Sequence, residues 1–186
     1  MLRFMDGRNI DFAMLNYGFI SVPHDSIKIT ELMKLFGLCG WTDEVRMSSI
    51  TELTEERRNR IIEAFPSVPF ARLLGLELIE LNPDSAVLRL PMRDDLRQPY
   101  GLLHGGAIAS LIDTATAFAL LAVTDEHEKG ATSNLTVHYL KAHAEGPVTC
   151  VASVVKSGKR LVTLSAEVHD DSGNLIATAI STYAKV

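Results

Sequence analysis

Gln98-Pro99-Tyr100-Gly101-Leu102-Leu103-His104-Gly105-Gly106, followed by Ala107 to Ala122, decides how the rest of the chain is read. A loop with three glycines and one histidine runs directly into an apolar segment of helical character whose single charge is Asp113. Glycine is a poor helix former, so two of them at a helix start need a reason. The reason expected is close approach, because without a Cβ a backbone or a ligand can come up to the first N–H groups. Those groups lack intrahelical partners and sit at the positive end of the helix dipole. They form a site for negative charge, either a bound anion or an oxyanion that develops during a reaction.

Between Ala107 and Ala122 only Ser110, Asp113, Thr114 and Thr116 are polar. At helical spacing Ser110, Asp113 and Thr114 share one face, which Ala117 continues. Lys and Glu are missing from that face, so the helix is expected to be buried nearly all round. An Asp in such a place is costly unless paired, hydrogen-bonded or functional. Two readings follow: a carboxylate satisfied by a neighbouring hydroxyl at a subunit seam, or a working acid. Gly105 and Asp113 are eight residues apart, which is about 12 Å of helix axis. A carboxylate at that distance cannot serve a carbonyl polarised at the start of its own helix. An isologous dimer with antiparallel helices brings Gly105 of one copy to Asp113 of the other, twice.

Composition bounds the classes of function. The 186 residues suit one domain plus an appendage, and 47% hydrophobic residues suffice for a core. A net charge of −5 argues against a nucleic-acid partner. Cys39 and Cys150 fit no metal or redox spacing and read as reduced thiols of a cytoplasmic protein. No apolar run approaches the length of a membrane span, and Met1 to Asp6 lacks the apolar core of a secretory signal.

The chain divides near Met47. Residues 1–46 form an extension of unknown role, in which Asp25 or Ser26 caps a short helix through Leu32, Met33, Leu35 and Phe36, stopped by Gly37. Met47 also stands as a candidate natural start. Ser49 and Glu52 have capping-box spacing for a helix through Leu53, Ile61, Ile62 and Phe65 that ends before Pro66. Leu76–Leu81 and Ser85–Leu90 read as strands joined at Asn82-Pro83-Asp84. After the glycine loop and the helix come strands over Ala131–Leu140, Val148–Lys156, Leu161–His169 and Leu175–Ala184. Val162, Leu164, Ala166 and Val168 alternate with Thr163, Ser165, Glu167 and His169. The class is therefore α+β over residues 47–186: a mostly antiparallel sheet that must curl around one long helix to bury both.

Other chemistries find no support. Gly-x-Ser-x-Gly is missing, and Gly101, Gly105 and Gly106 fit neither the Rossmann fingerprint nor a P-loop. His138 and His143 lack zincin spacing and a Cys partner, so no metal is expected.

Taken together, Gln98-x5-His104-Gly105-Gly106-x6-Asp113 and the order of strands and helix over about residues 60–186 resemble the hotdog-fold acyl-CoA thioesterases of the phenylacetic-acid-degradation (PaaI-like) type. The resemblance implies hydrolysis of an acyl-CoA or aryl-CoA thioester by a homodimer, or a tetramer, without metal or redox cofactor. It implies that the Gly105 N–H polarises the thioester carbonyl and that Asp113 of the partner acts as nucleophile or general base. Gln98 would contact the thioester region, and His104 would hold Gln98 and the loop; by position alone, directly before the helix, His104 could simply cap it or brace the loop. Thr132 would steady the attacking water, with Asn134 beside it on the same strand face. Gly106, Asn134 and the turn Ser157-Gly158-Lys159-Arg160 would meet substrate and coenzyme A phosphates. The chain departs from the pattern in two ways. Many relatives with Asp on the helix have Asn where Gln98 stands. The Gln98 to Gly106 stretch looks more like the aryl-CoA and dihydroxynaphthoyl-CoA branch, which carries Glu on the helix and a hydroxyl where this chain has Ala117. Two rivals remain at this stage: a hydratase or dehydratase of the same fold, and a non-catalytic acyl-CoA-binding module.

Overall fold

The computed structural model describes residues 10–15, 18–23 and 53–186. The chain divides into two units, Met1–Arg46 and Met47–Val186. In the first, β1 (Ile10–Leu15) and β2 (Gly18–Pro23) pair antiparallel, Ile10 opposite Pro23 and Leu15 opposite Gly18. The helix expected after Asp25 and the Ser49–Glu52 capping box lie outside the described residues.

The second unit opens with α1 (Glu55–Ala64), and its cap is Thr54, whose hydroxyl accepts from the Arg57 N–H. Leu53 therefore precedes the helix rather than lying in it. Pro66 ends α1 in a single 3-10 turn, Phe65–Ser67. A short helix, α2 (Pro69–Leu74), which the sequence reading did not contain, follows with Pro at its first position and Gly75 at φ 71° closing it. Next come β3 (Glu77–Asn82), β4 (Ser85–Leu90), α3 (Gly105–Val123), β5 (Gly130–Tyr139), β6 (Val148–Ser157), β7 (Leu161–Asp170) and β8 (Leu175–Lys185).

The six strands β3 to β8 form one sheet in the order β3-β4-β6-β7-β8-β5, and every neighbouring pair is antiparallel. The alternation expected in β7 holds: Val162, Leu164, Ala166 and Val168 are all buried. With Leu88, Leu90, Cys150, Ala152, Ile176 and Ala177 they make the apolar lining into which Leu111, Ile112, Ala115, Ala119 and Val123 of α3 pack. Phe65 meets Phe118 edge-on, with ring centroids 4.9 Å apart, and so seats the end of α1 against α3. This is the α+β hotdog arrangement, a curled antiparallel sheet wrapped around a central helix.

Two expectations about α3 change. By length and composition it is apolar enough to cross a membrane, contrary to the sequence reading, but the sheet enfolds it as a core helix. Nor is it buried all round. Ala109, Ser110, Asp113, Thr114 and Ala117 are only half-buried and Leu121 is exposed, so the sheet covers one side and leaves the Asp113 stripe open. Composition conveyed the apolar character, whereas the arc that a six-stranded sheet spans depends on its curl.

Candidate active site

The loop leading into α3 is closed by its own backbone. Arg97 and Leu103 form a bridge, Gln98 N donates to Leu102 O (2.8 Å), and His104 N donates to Leu96 O (2.8 Å). Inside it Gly101 N reaches back to Gln98 O (2.9 Å), and Gly101 takes φ 81°, a left-handed conformation that favours glycine. The Arg97 guanidinium ties this loop to the next by donating to the carbonyls of Gly101 and Ala144. Gln98 is held by its own turn, Oε1 accepting from Tyr100 N at 3.1 Å. Its expected tether is not there: backbone pairing sets His104 opposite Leu96, and the imidazole turns the other way.

That imidazole caps the helix. His104 Nδ1 accepts from the Gly106 N–H at 2.9 Å, which requires the neutral ring with its proton on Nε2. Gly106 is glycine because a methyl there would lie 2.9 Å from Nδ1 and 3.1 Å from Cε1 of the same ring. Gly105 is approached by another ring. A methyl on it would meet Tyr139 at 3.4 Å, and the Tyr139 hydroxyl donates to the Gly105 carbonyl at 2.9 Å. The close approach inferred from the two glycines is thus made first by two rings of the same chain. With the Gly106 N–H committed to His104, it is not a free contact for substrate. Among the described residues nothing accepts from the Gly105 N–H, the one donor at this helix start left for an incoming oxygen.

Two turns further along, Asp113 Oδ1 accepts from Thr132 Oγ1 at 2.9 Å and lies 3.2 Å from the Tyr183 hydroxyl. Tyr183 is almost fully buried, donates to the Asp113 carbonyl at 2.8 Å and lies 3.0 Å from the Thr116 hydroxyl. Burial first, with the Asp113 carboxylate adding to it, raises the Tyr183 pKa, so the phenol stays a proton donor. Asp113 Oδ2 has no hydrogen bond among the described residues and lies on the half-buried stripe. One carboxylate oxygen is anchored and the other is on offer.

Thr132 is where the sequence reading put it, but Asn134 is not beside it. A bulge between them pairs Thr132 with Tyr183 and Asn134 with Thr182, so the extra residue, Ser133, shifts the parity of the strand. Asn134 joins Thr136 on the outer face, where Thr136 Oγ1 lies 3.3 Å from Asn134 Oδ1. The turn after β6 divides as well: Ser157 is buried, while Lys159 and Arg160 are exposed. Arg160 O accepts from Lys185 N (2.9 Å), and Lys185 pairs with Gly130, so the basic turn lies at the end of the sheet where β5 begins. Gly105 lies at the other end of β5, beside Tyr139. Two hollows, of about 370 Å³ on the outer sheet face and about 280 Å³ between the β5–β6 and β7–β8 connections, include none of Gly105, Asp113 and Thr132. Neither hollow brings the donor and the acid together.

Tyr139 and Tyr183 escaped the sequence reading. A signal existed for Tyr183, an aromatic with a polar tip on the inward face of a strand, which needs a buried partner. For Tyr139 the only hint was its position at the end of the strand that follows the helix.

Comparison with known proteins bears on this geometry. Residues 100–177 match the family described as the thioesterase superfamily. A protein of Saccharolobus solfataricus, provisionally named an esterase, is 31% identical over 137 residues, covering 74% of this chain and 85% of its own. Acyl-coenzyme A thioesterase 13 of Homo sapiens is 28% identical over 131 residues, covering 69% of this chain and 93% of its own. Among solved structures, a conserved protein of Pseudomonas aeruginosa aligns with a TM-score of 0.61 at 33% identity, over 63% of this chain and 94% of its own. A thioesterase family protein of Silicibacter pomeroyi aligns with a TM-score of 0.65 at 25% identity, over 69% and 96%.

Proposed function

Because the chain belongs to the thioesterase superfamily, and is a thioester hydrolase by that membership, we propose that it hydrolyses acyl-CoA or aryl-CoA thioesters at a site shared by two copies. The observation that carries this reading is the state of Asp113: Oδ1 held by Thr132 and Tyr183, Oδ2 uncommitted on a stripe its own sheet leaves open. Two hydroxyls fix the half-buried carboxylate through one oxygen and so aim the other at whatever approaches the open stripe.

Distance supports the second copy. Asp113 sits beside Thr132 near the start of β5, and Gly105 sits beside Tyr139 at its end. β5 is a terminal strand of the sheet, paired on one side with β8. Antiparallel pairing of β5 with the β5 of a second copy, with the two-fold axis between Leu135 and Thr136, sets Thr132 of each opposite Tyr139 of the other. The acid of one copy then faces the free N–H of the other, twice, and Lys159 and Arg160 come to the same end as the partner's glycine loop. There they meet the phosphates of coenzyme A.

The chemistry proposed needs no metal or redox group. The Gly105 N–H, at the positive end of α3, stabilises the oxyanion formed on the thioester carbonyl. Thr132 has spent its proton on Asp113, so towards a water it can only accept, and it orients that water beside Oδ2. Oδ2 removes the water proton as the oxygen attacks the acyl carbon. The carbon–sulfur bond breaks, and the proton passes to the departing thiolate, giving the free acid and coenzyme A. A cytoplasmic setting suits Cys150, a buried free thiol.

The test is thiol release over a panel of aliphatic and aromatic CoA esters, on parent and Asp113→Asn protein with the dimer followed by sedimentation. Turnover by the parent and its loss in a dimeric Asp113→Asn variant are expected, and an active variant would remove the assigned role. An acyl adduct on Asp113, trapped by rapid quench, would make it the nucleophile instead of the base. Water addition to an enoyl-CoA without thiol release would favour a hydratase. Binding without release from any ester would leave an acyl-CoA-binding module.

A further inference from the structure

We infer that Tyr139 is a positioning residue that fixes the direction of the Gly105 N–H, the group proposed above to meet the oxyanion, on whose role this inference rests. Three groups around that N–H are tied down. The His104 carbonyl, in the same peptide unit, accepts from Ala107 N (2.9 Å) and Ile108 N (3.3 Å). The Gly106 N–H is held by His104 Nδ1 (2.9 Å). The Gly105 carbonyl receives the Tyr139 hydroxyl at 2.9 Å. The first two bonds belong to ordinary helix capping. The third does not, because a carbonyl in the first turn of a helix already accepts from the ladder and needs no outside donor.

The placement of Tyr139 argues against core packing as its purpose. Tyr139 is 54% exposed at the end of β5, yet its ring crosses 3.4 Å from where a Gly105 Cβ would stand. It spans from the sheet to the helix start and holds Gly105, the residue that carries the free donor, through the carbonyl of the next peptide unit. A glycine pair at a helix terminus leaves that backbone loose, and an oxyanion donor serves only if its direction is set before the reaction. His104 fixes one side of Gly105–Gly106 and Tyr139 the other. Hydrogen bonding to the Gly105 carbonyl also polarises the Gly106 N–H in the same peptide unit, which strengthens its bond to His104.

The test is Tyr139→Phe in the full-length protein, which keeps the ring and removes the donor. Amide resonances and solvent exchange of Gly105 and Gly106 are read by NMR without ligand, and kcat and KM by thiol release. Expected are displaced resonances and faster exchange at both glycines, an unchanged melting temperature, and a kcat lower by about five- to tenfold at constant KM. Unmoved resonances overturn the inference, as does a kcat within twofold of the parent or a loss carried by KM or by melting temperature. A parent protein inactive on every CoA ester refutes the oxyanion role itself, and with it the catalytic half of the inference. The glycine resonances then still decide whether Tyr139 holds the turn.

Discussion

The hydroxyl of Thr132, on β5, donates to Oδ1 of Asp113, on α3, at 2.9 Å. A strand that begins only after the helix and its connection have ended returns to hold the helix's single carboxylate. The bond selects which of the two oxygens remains available, and Tyr183 reinforces the choice from below.

Thr132→Val should therefore impair the reaction without unfolding the protein, since Thr132 is exposed and its methyl survives the change. A hydrogen bond to a charged group contributes about 1.5–3 kcal/mol, so kcat should fall roughly ten- to hundredfold. Asp113→Asn should lose about 10²–10⁴. The double variant should be no worse than Asp113→Asn alone, because Thr132 fixes the carboxylate and sets the water beside it, and neither task serves once the base is gone. Steady-state thiol release on the four proteins checks this, and additive losses would separate the two residues.

The adjacent glycines should respond oppositely to a methyl. Gly106→Ala drives a carbon to 2.9 Å from His104 Nδ1, so the cap must break, with a loss of about 1–2 kcal/mol in urea unfolding. Gly105→Ala places its methyl at ordinary contact, 3.4 Å, from Tyr139. Its stability should stay within about 0.5 kcal/mol, while turnover falls as the methyl crowds the free N–H from the substrate side.

Arg57 is a stability prediction away from the site. It lies on α1, is buried, and donates through Nη2 to the carbonyls of Leu121 and Thr124, the orphan acceptors at the end of α3. Arg57→Met keeps the stem and deletes the donors, leaving those carbonyls unsatisfied, and should cost about 2–3 kcal/mol in urea unfolding. A change below about 0.5 kcal/mol would mean that water reaches them.

How much of this was legible in the sequence depended on range. Val162, Leu164, Ala166 and Val168 announced the inner face of β7 because one side of the strand meets the helix and the other does not. The succession of strands and helix along the chain, the length of that helix and the Asp113–Gly105 separation followed from periodicity and rise per residue, whereas the neighbour order within the sheet did not. The position of Asn134 did not, because a one-residue bulge at Ser133 reverses facing without leaving a mark in the alternation. Nor did the choice between the two duties of His104, holding Gln98 or capping the helix, since the sequence cannot tell which way an imidazole turns from a helix start. The open stripe along Ser110, Asp113 and Ala117 was hidden for a third reason: its exposure is set by where the sheet stops curling.

Cys150 supplies a pH dependence. It is fully buried on β6, between Leu88 of β4 and Val168 of β7, and burial alone pushes its thiol up from 9.0 to about 12. A group held protonated in the folded state contributes its full stability below the unfolded value and loses it as pH rises towards the folded one. The unfolded chain ionises at this residue from about pH 9 while the folded chain does not, so stability should decline between pH 9 and 12. Cys150→Ala should lower stability at neutral pH by opening a small cavity and should flatten that decline. Urea unfolding of both proteins at pH 7.5 and 10.5 gives the comparison. Equal slopes against pH would mean that the alkaline loss belongs to other groups, and rapid alkylation of Cys150 in the native protein would mean that the strand interior opens to solvent.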